Sequence, residues 1–388
     1  MRPSLFLRNC LCVGAGLFLL TSCIEPFEPK VADAVSSYLV VDGSINSSGT
    51  TTILLKRTTS IGQTGPAPVE GKAKVFIEQE GGQRYPLTES PAGTYTSAAL
   101  SLAGSKPVRL RFTLANGREY ASDFTLAKTT PAIDSITWRP GSDGLQIWVN
   151  AHDDTQQSRY YRWSYDETWE FTSAFRSTLE YRNGGLFDRK EDIYNCWARE
   201  APSAIIIGTS VKLAQDVISQ QRLALLPRNT VKLRQKYSIL VKQYSLTPDE
   251  YAYWETLRKN TENIGTLFDP LPSQLTGNVH NVTDASEDVI GYVGAQSVRE
   301  KRLFITRDEL PSDWPRVTGY EYCKPDTIPQ PKDPMPPTER EIFSFFSSGF
   351  PVPIAQLPPY LGGGYLYSTA DCLDCRKRGT NVRPSYWQ

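Results

Sequence analysis

The feature that most constrains the fold is an alternating run at residues 159–171. Tyr161, Trp163 and Trp169 lie at odd positions, whereas Arg162 and Asp166 lie at even positions. Successive side chains of a β-strand point to opposite faces of the sheet, so a period of two predicts one buried face and one polar face. The run therefore predicts a long half-buried strand in a β-sheet.

Shorter alternating segments extend this pattern and predict a mainly β fold, since 28 prolines and 27 glycines supply many turns. Residues 37–130 are predicted to form an N-terminal β-sandwich that resembles transthyretin-like and Ig-like modules. A second β-sandwich is predicted over residues 131–322. The predicted strands of the first sandwich are residues 38–43, 51–56, 73–78, 84–87, 108–114 and 120–124, with a hairpin turn at Asn116-Gly117. Those of the second, besides the long run, are residues 145–149, 204–208, 237–244, 288–296 and 301–306.

One inserted amphipathic helix interrupts the β pattern. Thr247, Pro248 and Glu250 provide a hydroxyl cap, a proline at the first helical position and a glutamate three residues after the cap. These residues predict a helix over 248–263, with Trp254 on its apolar face. A shorter helix is considered at residues 210–220.

The four cysteines that follow Cys23 predict a disulfide-tied C-terminal tail. The tail, residues 323–388, begins with a proline-rich segment at 324–337, which is expected to be extended and to form no ladder. Two disulfides are predicted, and three pairings are possible. A four-thiolate zinc site and a redox CxxC pair remain as alternatives. The cysteines concerned are Cys196, Cys323, Cys372 and Cys375.

The N-terminus has the pattern of a lipoprotein signal peptide. Arg2 and Arg8 precede an apolar stretch at 11–20, which is too short to span a bilayer and ends just before Cys23. We expect residues 1–22 to be removed, Cys23 to carry lipid such as palmitate, and residues 23–36 to be a tether. An ordinary signal peptide with a chance cysteine is the alternative. The lipid would be the only anchor in the outer membrane, on its periplasmic face or the cell surface.

Composition argues against several classes of partner and cofactor. Basic and acidic side chains are equal in number, 42 each, so no basic surplus favours nucleic acid. Only two histidines are present, His152 and His280. The sequence contains no P-loop, GxSxG, HExxH or complete dinucleotide motif. We therefore predict no cofactor, no metal site and no catalytic residues.

The candidate binding residues are aromatic. Trp148, Tyr161, Trp163 and Trp169 could form a stacking platform for a sugar or a peptide. The alternation favours the opposite interpretation for the rings of the long run, in which they fill the core. Trp148 lies on the polar side of its predicted strand and is the better candidate for exposure.

Acidic residues offer weaker candidates. His152-Asp153-Asp154 is more consistent with a solvated turn than with a metal site, because further donors would have to converge from elsewhere. Asp166 and Glu167 face opposite sides of one strand. Glu170 shares a face with Asp166 but lies about 13 Å along it, which is too far for a glycosidase carboxylate pair.

Several motifs, in a fairly specific order, carry a resemblance that covers nearly the whole chain after Cys23. Their residues are Tyr38-Leu39-Val40-Val41-Asp42-Gly43, Tyr160-Tyr161-Arg162-Trp163, Tyr194-Asn195-Cys196-Trp197, Leu246-Thr247-Pro248-Asp249-Glu250-Tyr251, Gly265-Thr266-Leu267-Phe268-Asp269-Pro270-Leu271-Pro272-Ser273 and Cys372-Leu373-Asp374-Cys375. In these the chain resembles Bacteroidota outer-membrane lipoproteins classed as domain of unknown function 4249. Arg378 and Tyr386 stand where the family pattern has glycine and phenylalanine.

The resemblance implies an envelope lipoprotein that accompanies a TonB-dependent outer-membrane transporter, and it implies no catalytic residues. A non-catalytic accessory binding protein is therefore the first functional hypothesis, with an unknown ligand. A surface structural or adhesive module is the alternative. An enzyme acting on peptides or glycans is the third hypothesis.

Overall fold

The computed structural model describes residues 37–59, 65–102, 106–262, 275, 277–328, 336–361 and 363–388. The predicted signal peptide, Cys23 and the tether lie outside the described residues, as does the motif at 265–273. All elements described below belong to one compact unit, Tyr38–Thr58 with Gly65–Gln388.

The described residues form 23 strands and three α-helices, which confirms the mainly β fold class. The strands are β1 Leu39–Asn46, β2 Thr52–Arg57, β3 Lys74–Gln79, β4 Arg84–Glu89, β5 Thr94–Ser97, β6 Val108–Thr113, β7 Glu119–Ser122, β8 Ile133–Pro140, β9 Gly144–His152, β10 Tyr160–Thr172, β11 Leu179–Arg182, β12 Gly185–Asp188, β13 Asn195–Glu200, β14 Ile206–Thr209, β15 Val217–Pro227, β16 Lys236–Ser245, β17 Val279–Asn281, β18 Val289–Ile290, β19 Ala295–Gln296, β20 Arg299–Thr306, β21 Asp326–Ile328, β22 Pro351–Gln356 and β23 Tyr365–Thr369. The helices are α1 Pro248–Glu262, α2 Glu339–Phe346 and α3 Ala370–Leu373.

The first sheet has ten strands in the order β17-β7-β6-β3-β4-β5-β2-β1-β18, with β19 also paired to β1. It is nearly closed, because the backbone N–H of Asn278 donates to the carbonyl of Gly291, 3.3 Å away, between its two ends. Its alternating apolar side chains enclose one core that includes Leu39, Ile53 and Phe112. Strands β17, β18 and β19 come from the range assigned by sequence to the second sandwich, so this range also contributes to the first sheet.

Glycines allow the backbone at Gly291 to pack closely on its neighbour β1 and on the opposite end of the first sheet. A Cβ on Gly291, whose φ is +148°, would lie 2.2 Å from the carbonyl oxygen of Val41. A Cβ on Gly277 would lie 1.8 Å from the carbonyl oxygen of Gly291. Only residues without a side chain allow backbones to pack this closely.

Two further sheets form a sandwich around a second core. One contains β13-β10-β16-β20, with β14 also paired to β10, and the other contains β15-β9-β8. The long run of the sequence is β10, and its odd positions Tyr161 and Trp163 lie in this core beside Leu145 and Ile239. Tyr161 and Trp163 therefore fill the core, as the alternation of the run favours.

The inserted helix forms as predicted from Pro248 and extends to Glu262 within the described residues. The helix considered at 210–220 is wrong, because β15 begins at Val217 and pairs with β9. The single strand predicted at 288–296 is interrupted by Gly291 and Gly294, so it becomes β18 and β19, both parallel to β1.

One disulfide ties the C-terminal tail to the sandwich, as predicted, and a second lies within the tail. Cys196 on β13 is bonded to Cys375, and Cys323 is bonded to Cys372. The two cysteines of the CxxC motif thus form disulfides with different partners. This pairing differs from both the four-thiolate zinc site and the redox CxxC pair.

The tail also contains a small sheet in the order β21-β23-β22. The expectation that the proline-rich segment forms no ladder is wrong at β21, which pairs with β23. Pro325 and Pro329 flank this strand, so its three residues retain their N–H groups, and β21 is an edge strand.

Candidate functional site

The described residues enclose a cleft of about 630 Å³. It lies where β1 and the Ile290–Tyr292 backbone of the first sheet approach β10, the segment 202–206 and α1. Its volume is within the range of sites that enclose small molecules. This aromatic cleft, as we call it, is the candidate functional site.

Arg162 is the central polar side chain of the aromatic cleft. It lies on the polar face of β10, directly opposite Tyr244 of β16 in the sheet register. Its guanidinium carbon lies 4.3 Å from the ring centroid of Tyr244 and 4.4 Å from that of Trp254 on α1. The guanidinium is thus stacked between two aromatic rings, an arrangement that holds its plane fixed.

The hydrogen-bonding capacity of Arg162 is not used within the part of the chain that the structure describes. Its Nε is buried and has no hydrogen-bond partner there. No carboxylate oxygen of the described residues lies within 4.0 Å of the guanidinium nitrogens. A buried donor without a partner costs free energy.

Glu250, in the first turn of α1, lies behind the cleft and is 2% exposed. Its backbone N–H donates to the Thr247 hydroxyl at 3.2 Å, which is the first half of the predicted capping box. A Cβ on Gly294 would lie 2.2 Å from Oε2 of Glu250, so this glycine makes room for the carboxylate. Burial raises the pKa of Glu250 to about 7, although the positive charge of Arg162 acts in the opposite direction.

Aromatic and apolar side chains complete the walls. Tyr253 on α1 contacts Tyr292 with ring centroids 5.5 Å apart, and burial raises the pKa of Tyr253 to about 12, so this phenol is neutral at physiological pH. The charged side chains at the edge of the cleft are Lys56, Asp42 and Glu262. Asp42 and Glu262 are exposed, and Glu262 accepts a hydrogen bond from the backbone N–H of Ile205 at 2.8 Å.

The aromatic residues proposed from sequence do not form one platform. Tyr161 is fully buried, and Trp163 is 1% exposed and donates its indole N–H to Gln243 at 2.8 Å. Trp163 contributes to the lining of the cleft and would contact a side chain at Gly208. Its indole N–H, however, is already used inside the protein.

The two remaining tryptophans lie away from the aromatic cleft. Trp169 packs at the margin of the second core, with the Lys232 ammonium 5.1 Å from its ring centroid. Trp148 is half-buried, and the Arg139 guanidinium lies 5.8 Å from its ring. Neither is among the residues that line the cleft.

The carboxylates considered for catalysis have separate partners. Asp166 pairs with Lys242 at 2.7 Å, and Glu170 accepts from the indole N–H of Trp387 at 3.3 Å. Glu167 is buried, and Lys232 joins it to Glu200 with contacts of 2.6 Å to each. The pairing of Glu167 with Glu200 could not be found along the sequence, because the two residues meet across neighbouring strands.

In the His152 turn, His152 and Asp154 are exposed, but Asp153 is buried and accepts hydrogen bonds from three backbone N–H groups, so the turn is only partly solvated. The imidazole of His152 has a local partner. Its Nδ1 lies 2.8 Å from Asp134, and this contact raises the pKa of His152. Within the described ranges, no group of three or more His, Cys, Asp or Glu side chains could hold a metal ion. In the same ranges, none of the helices has both the length and the apolar character needed to cross a membrane.

Sequence reasoning missed Arg162, Tyr244 and Glu250 as site residues. Arg162 was assigned to the polar face of its strand, which is correct, but that face was taken to be solvated. The available signal was an arginine between large aromatic residues on a long strand. Its importance depends on Trp254, which is brought from α1, 92 positions further along the chain.

Comparison with known proteins gives little functional information. No curated protein matches the chain. A DUF4785 family protein from Legionella pneumophila is 10% identical with a TM-score of 0.19, and the match covers 52% of this chain and 51% of that one. The chain therefore spans about half the length of that protein. A structure of manganese lipoxygenase of Gaeumannomyces graminis with part of zonadhesin of Komagataella pastoris is 8% identical with a TM-score of 0.17, covering 56% and 91%. Neither similarity supports an argument about function.

The family comparison is more informative. A family model described as Domain of unknown function (DUF4249) matches residues 24–302, a range that contains every residue lining the aromatic cleft but excludes the C-terminal tail. Because the match covers well over half of the sequence, the chain belongs to the DUF4249 family.

Proposed function

We propose that the protein is a non-catalytic binding lipoprotein of the outer membrane that captures a small ligand in the aromatic cleft and acts with a TonB-dependent transporter. The observation that carries the binding role is the stacked Arg162, which faces a cleft of about 630 Å³ without a hydrogen-bond partner in the described part of the chain. A preformed concave site with few polar groups is typical of small-molecule binding.

The membrane location in this proposal is supported by the sequence before Cys23 and by the resemblance to Bacteroidota lipoproteins. An apolar segment that ends at Leu20-Thr21-Ser22-Cys23 has the form recognised by lipoprotein processing. Attached acyl chains would hold the protein at the membrane, since each buried methylene contributes about 0.8 kcal/mol.

An adhesive or structural role at the surface is the second candidate. It is favoured by the disulfide-tied tail, in which large apolar side chains remain exposed. Phe350 is 74% exposed and Tyr360 is 84% exposed. Exposed apolar groups of this size are common in protein-binding surfaces. If the protein is adhesive, replacing Phe350 and Tyr360 by serine should weaken the attachment of cells and leave nutrient uptake unchanged.

The anchor is tested by labelling cells of a Bacteroidota host with radioactive palmitate. We expect the wild-type chain to incorporate label and the Cys23→Ala variant to incorporate none, because the thiol is the attachment point. Cys12→Ala, in the predicted signal peptide, is the matched control and should retain the label. Incorporation by the Cys23→Ala variant would contradict the proposed anchor.

The transporter partner is tested by extracting a tagged full chain in mild detergent. We expect a TonB-dependent β-barrel receptor to co-purify with the lipidated protein, in near-equal amount. A clean monomer after such extraction argues against the transporter role. Loss of attachment without loss of uptake in a deletion strain would instead support the adhesive alternative.

A further inference from the structure

We infer that the aromatic cleft binds an organic anion with an apolar or aromatic body, and that Arg162 holds the anionic group. This inference rests on the proposed function, because it names the class of ligand for the same cleft.

The geometry of Arg162 suits the binding of an oxyanion. The rings of Tyr244 and Trp254 cover both faces of the guanidinium, so a ligand can approach only in its plane. Because Nε is enclosed by the protein, the two terminal nitrogens remain for contact with a ligand. A fixed guanidinium fork matches the two oxygens of a carboxylate and also hydrogen-bonds other oxyanions.

The rest of the aromatic cleft favours an apolar body on the anion. Ile206, Leu257 and Ile290 line it together with the rings of Tyr253 and Tyr292. An inorganic anion would leave these walls in contact with water, whereas a hydrocarbon or aromatic group would cover them. Burial of such a group is favourable by roughly 25 cal/mol for each Å² removed from water.

The charges near the cleft are consistent with an anionic ligand. Lys56 is a second cation of the lining and has no ion pair within the described residues. The acidic groups Asp42 and Glu262 are both exposed at the edge, where water screens them. Glu250 is the carboxylate behind Arg162, and its raised pKa means that it is only partly ionised near neutral pH.

A purely structural role is the competing explanation for Arg162. Stacked arginines also stabilise packing between elements, and here the side chain joins β10 to α1. The two explanations differ in one measurable respect. A structural arginine would not make the cleft distinguish a charged ligand from an uncharged ligand of the same shape.

The test uses two fluorescent probes that share one aromatic body, anilinonaphthalene sulfonate and its uncharged parent phenylnaphthylamine. Both are titrated into the purified full chain. We expect the wild-type protein to bind the sulfonate about 10- to 100-fold more tightly than the neutral probe, as expected for hydrogen bonds to a charged group. In Arg162→Gln this preference should disappear, while affinity for the neutral probe stays within about twofold.

Two further variants locate the probes and control for loss of charge. Leu257→Trp would narrow the cleft and should weaken the binding of both probes. Arg139→Gln removes an arginine that stacks on Trp148 away from the cleft, and it should leave both affinities unchanged. Arg162→Lys keeps the positive charge but loses the planar fork, so an intermediate preference for the sulfonate is expected.

The outcomes separate this inference from the proposed function. If both probes bind in the cleft with equal affinity to the wild-type protein, the inference about anions is overturned and a binding role stands. If neither probe binds, or if Leu257→Trp leaves binding intact, the cleft is not the binding site and the proposed function fails. Comparing the affinities of the two probes for the wild-type protein tests the inference even if Arg162→Gln does not fold.

Discussion

The carboxyl group of Glu250 lies in an environment that few acidic side chains occupy. It is almost fully enclosed, packs against the backbone of Gly294 and is near the guanidinium of Arg162. Burial disfavours its charged form more than Arg162 restores it, so its pKa rises to about 7. Its protonation therefore changes in the physiological pH range.

This shift predicts a pH dependence of stability. Between pH 4.5 and about 7 the folded protein holds a proton on Glu250 that the unfolded chain releases. The contribution of Glu250 to stability is therefore fully present below its unfolded pKa and is lost as the pH rises through 7. The loss is on the order of 3 kcal/mol.

The measurement is urea unfolding of the wild-type protein and Glu250→Gln between about pH 5 and about pH 8. We expect the stability of the wild type relative to the variant to fall over this range. Glu255→Gln, on the same helix but 39% exposed, is the control and should show no such trend. A constant difference between wild type and Glu250→Gln would contradict the predicted behaviour of Glu250.

At this scale the sequence predicted the local role of Glu250 but not its burial. The spacing from Thr247 indicates a helix start, and the N–H of Glu250 does bond the Thr247 hydroxyl. The capping pattern also predicts that the glutamate side chain turns back to the start of the helix. The position of its carboxylate instead depends on the space beside Gly294, which is a tertiary property.

At the scale of elements, the long strand shows what periodicity can and cannot predict. A period of two correctly separated the buried ring of Trp163 from the polar side chain of Arg162. It could not predict that Tyr244 and Trp254 would enclose that polar face, because these residues come from other elements. The strand was therefore predictable and the aromatic cleft was not.

The close packing of Gly291 on β1 leads to a second prediction. Gly291→Ala should reduce stability by about 2–4 kcal/mol, because it combines an unfavourable φ with a clash against the Val41 carbonyl. Gly81→Ala is the matched control. Its φ of +99° is also unfavourable for alanine, but no atom lies within 4 Å of the added Cβ.

We expect Gly81→Ala to cost only about 1 kcal/mol, and the two losses are compared by urea unfolding. Equal losses in the two variants would show that the contact of Gly291 with Val41 does not restrict the sheet. The difference between them measures the steric requirement where Gly291 packs on β1, separately from backbone strain.

At the scale of the whole molecule, the disulfides join segments that are distant in sequence. Cys196–Cys375 spans 179 residues and Cys323–Cys372 spans 49. The number of cysteines predicted two bonds, but three pairings were equally compatible with the sequence. The pairing is determined by packing of the tail on β13, where Thr380 pairs with Trp197 and Trp387 contacts Trp197.

This connectivity predicts unequal effects of removing the two bonds. The double variant Cys196→Ala with Cys375→Ala should lose about 1 kcal/mol more than Cys323→Ala with Cys372→Ala, because it frees the longer loop. Unfolding in urea measures the loss, and limited proteolysis should cut the tail sooner in the first variant. Equal stability of all three proteins would contradict the bracing role of the disulfides.

The separation of Cys196 from Cys375 also has a consequence for the order of events during biogenesis. At a synthesis rate of roughly 5–20 residues per second, the thiol of Cys196 would be made roughly 10–40 s before its partner. Cys323 is synthesised before Cys375 and could form an incorrect disulfide with Cys196. Uncatalysed exchange takes minutes to hours. We therefore expect maturation of this protein to depend on a disulfide isomerase in the compartment where it folds.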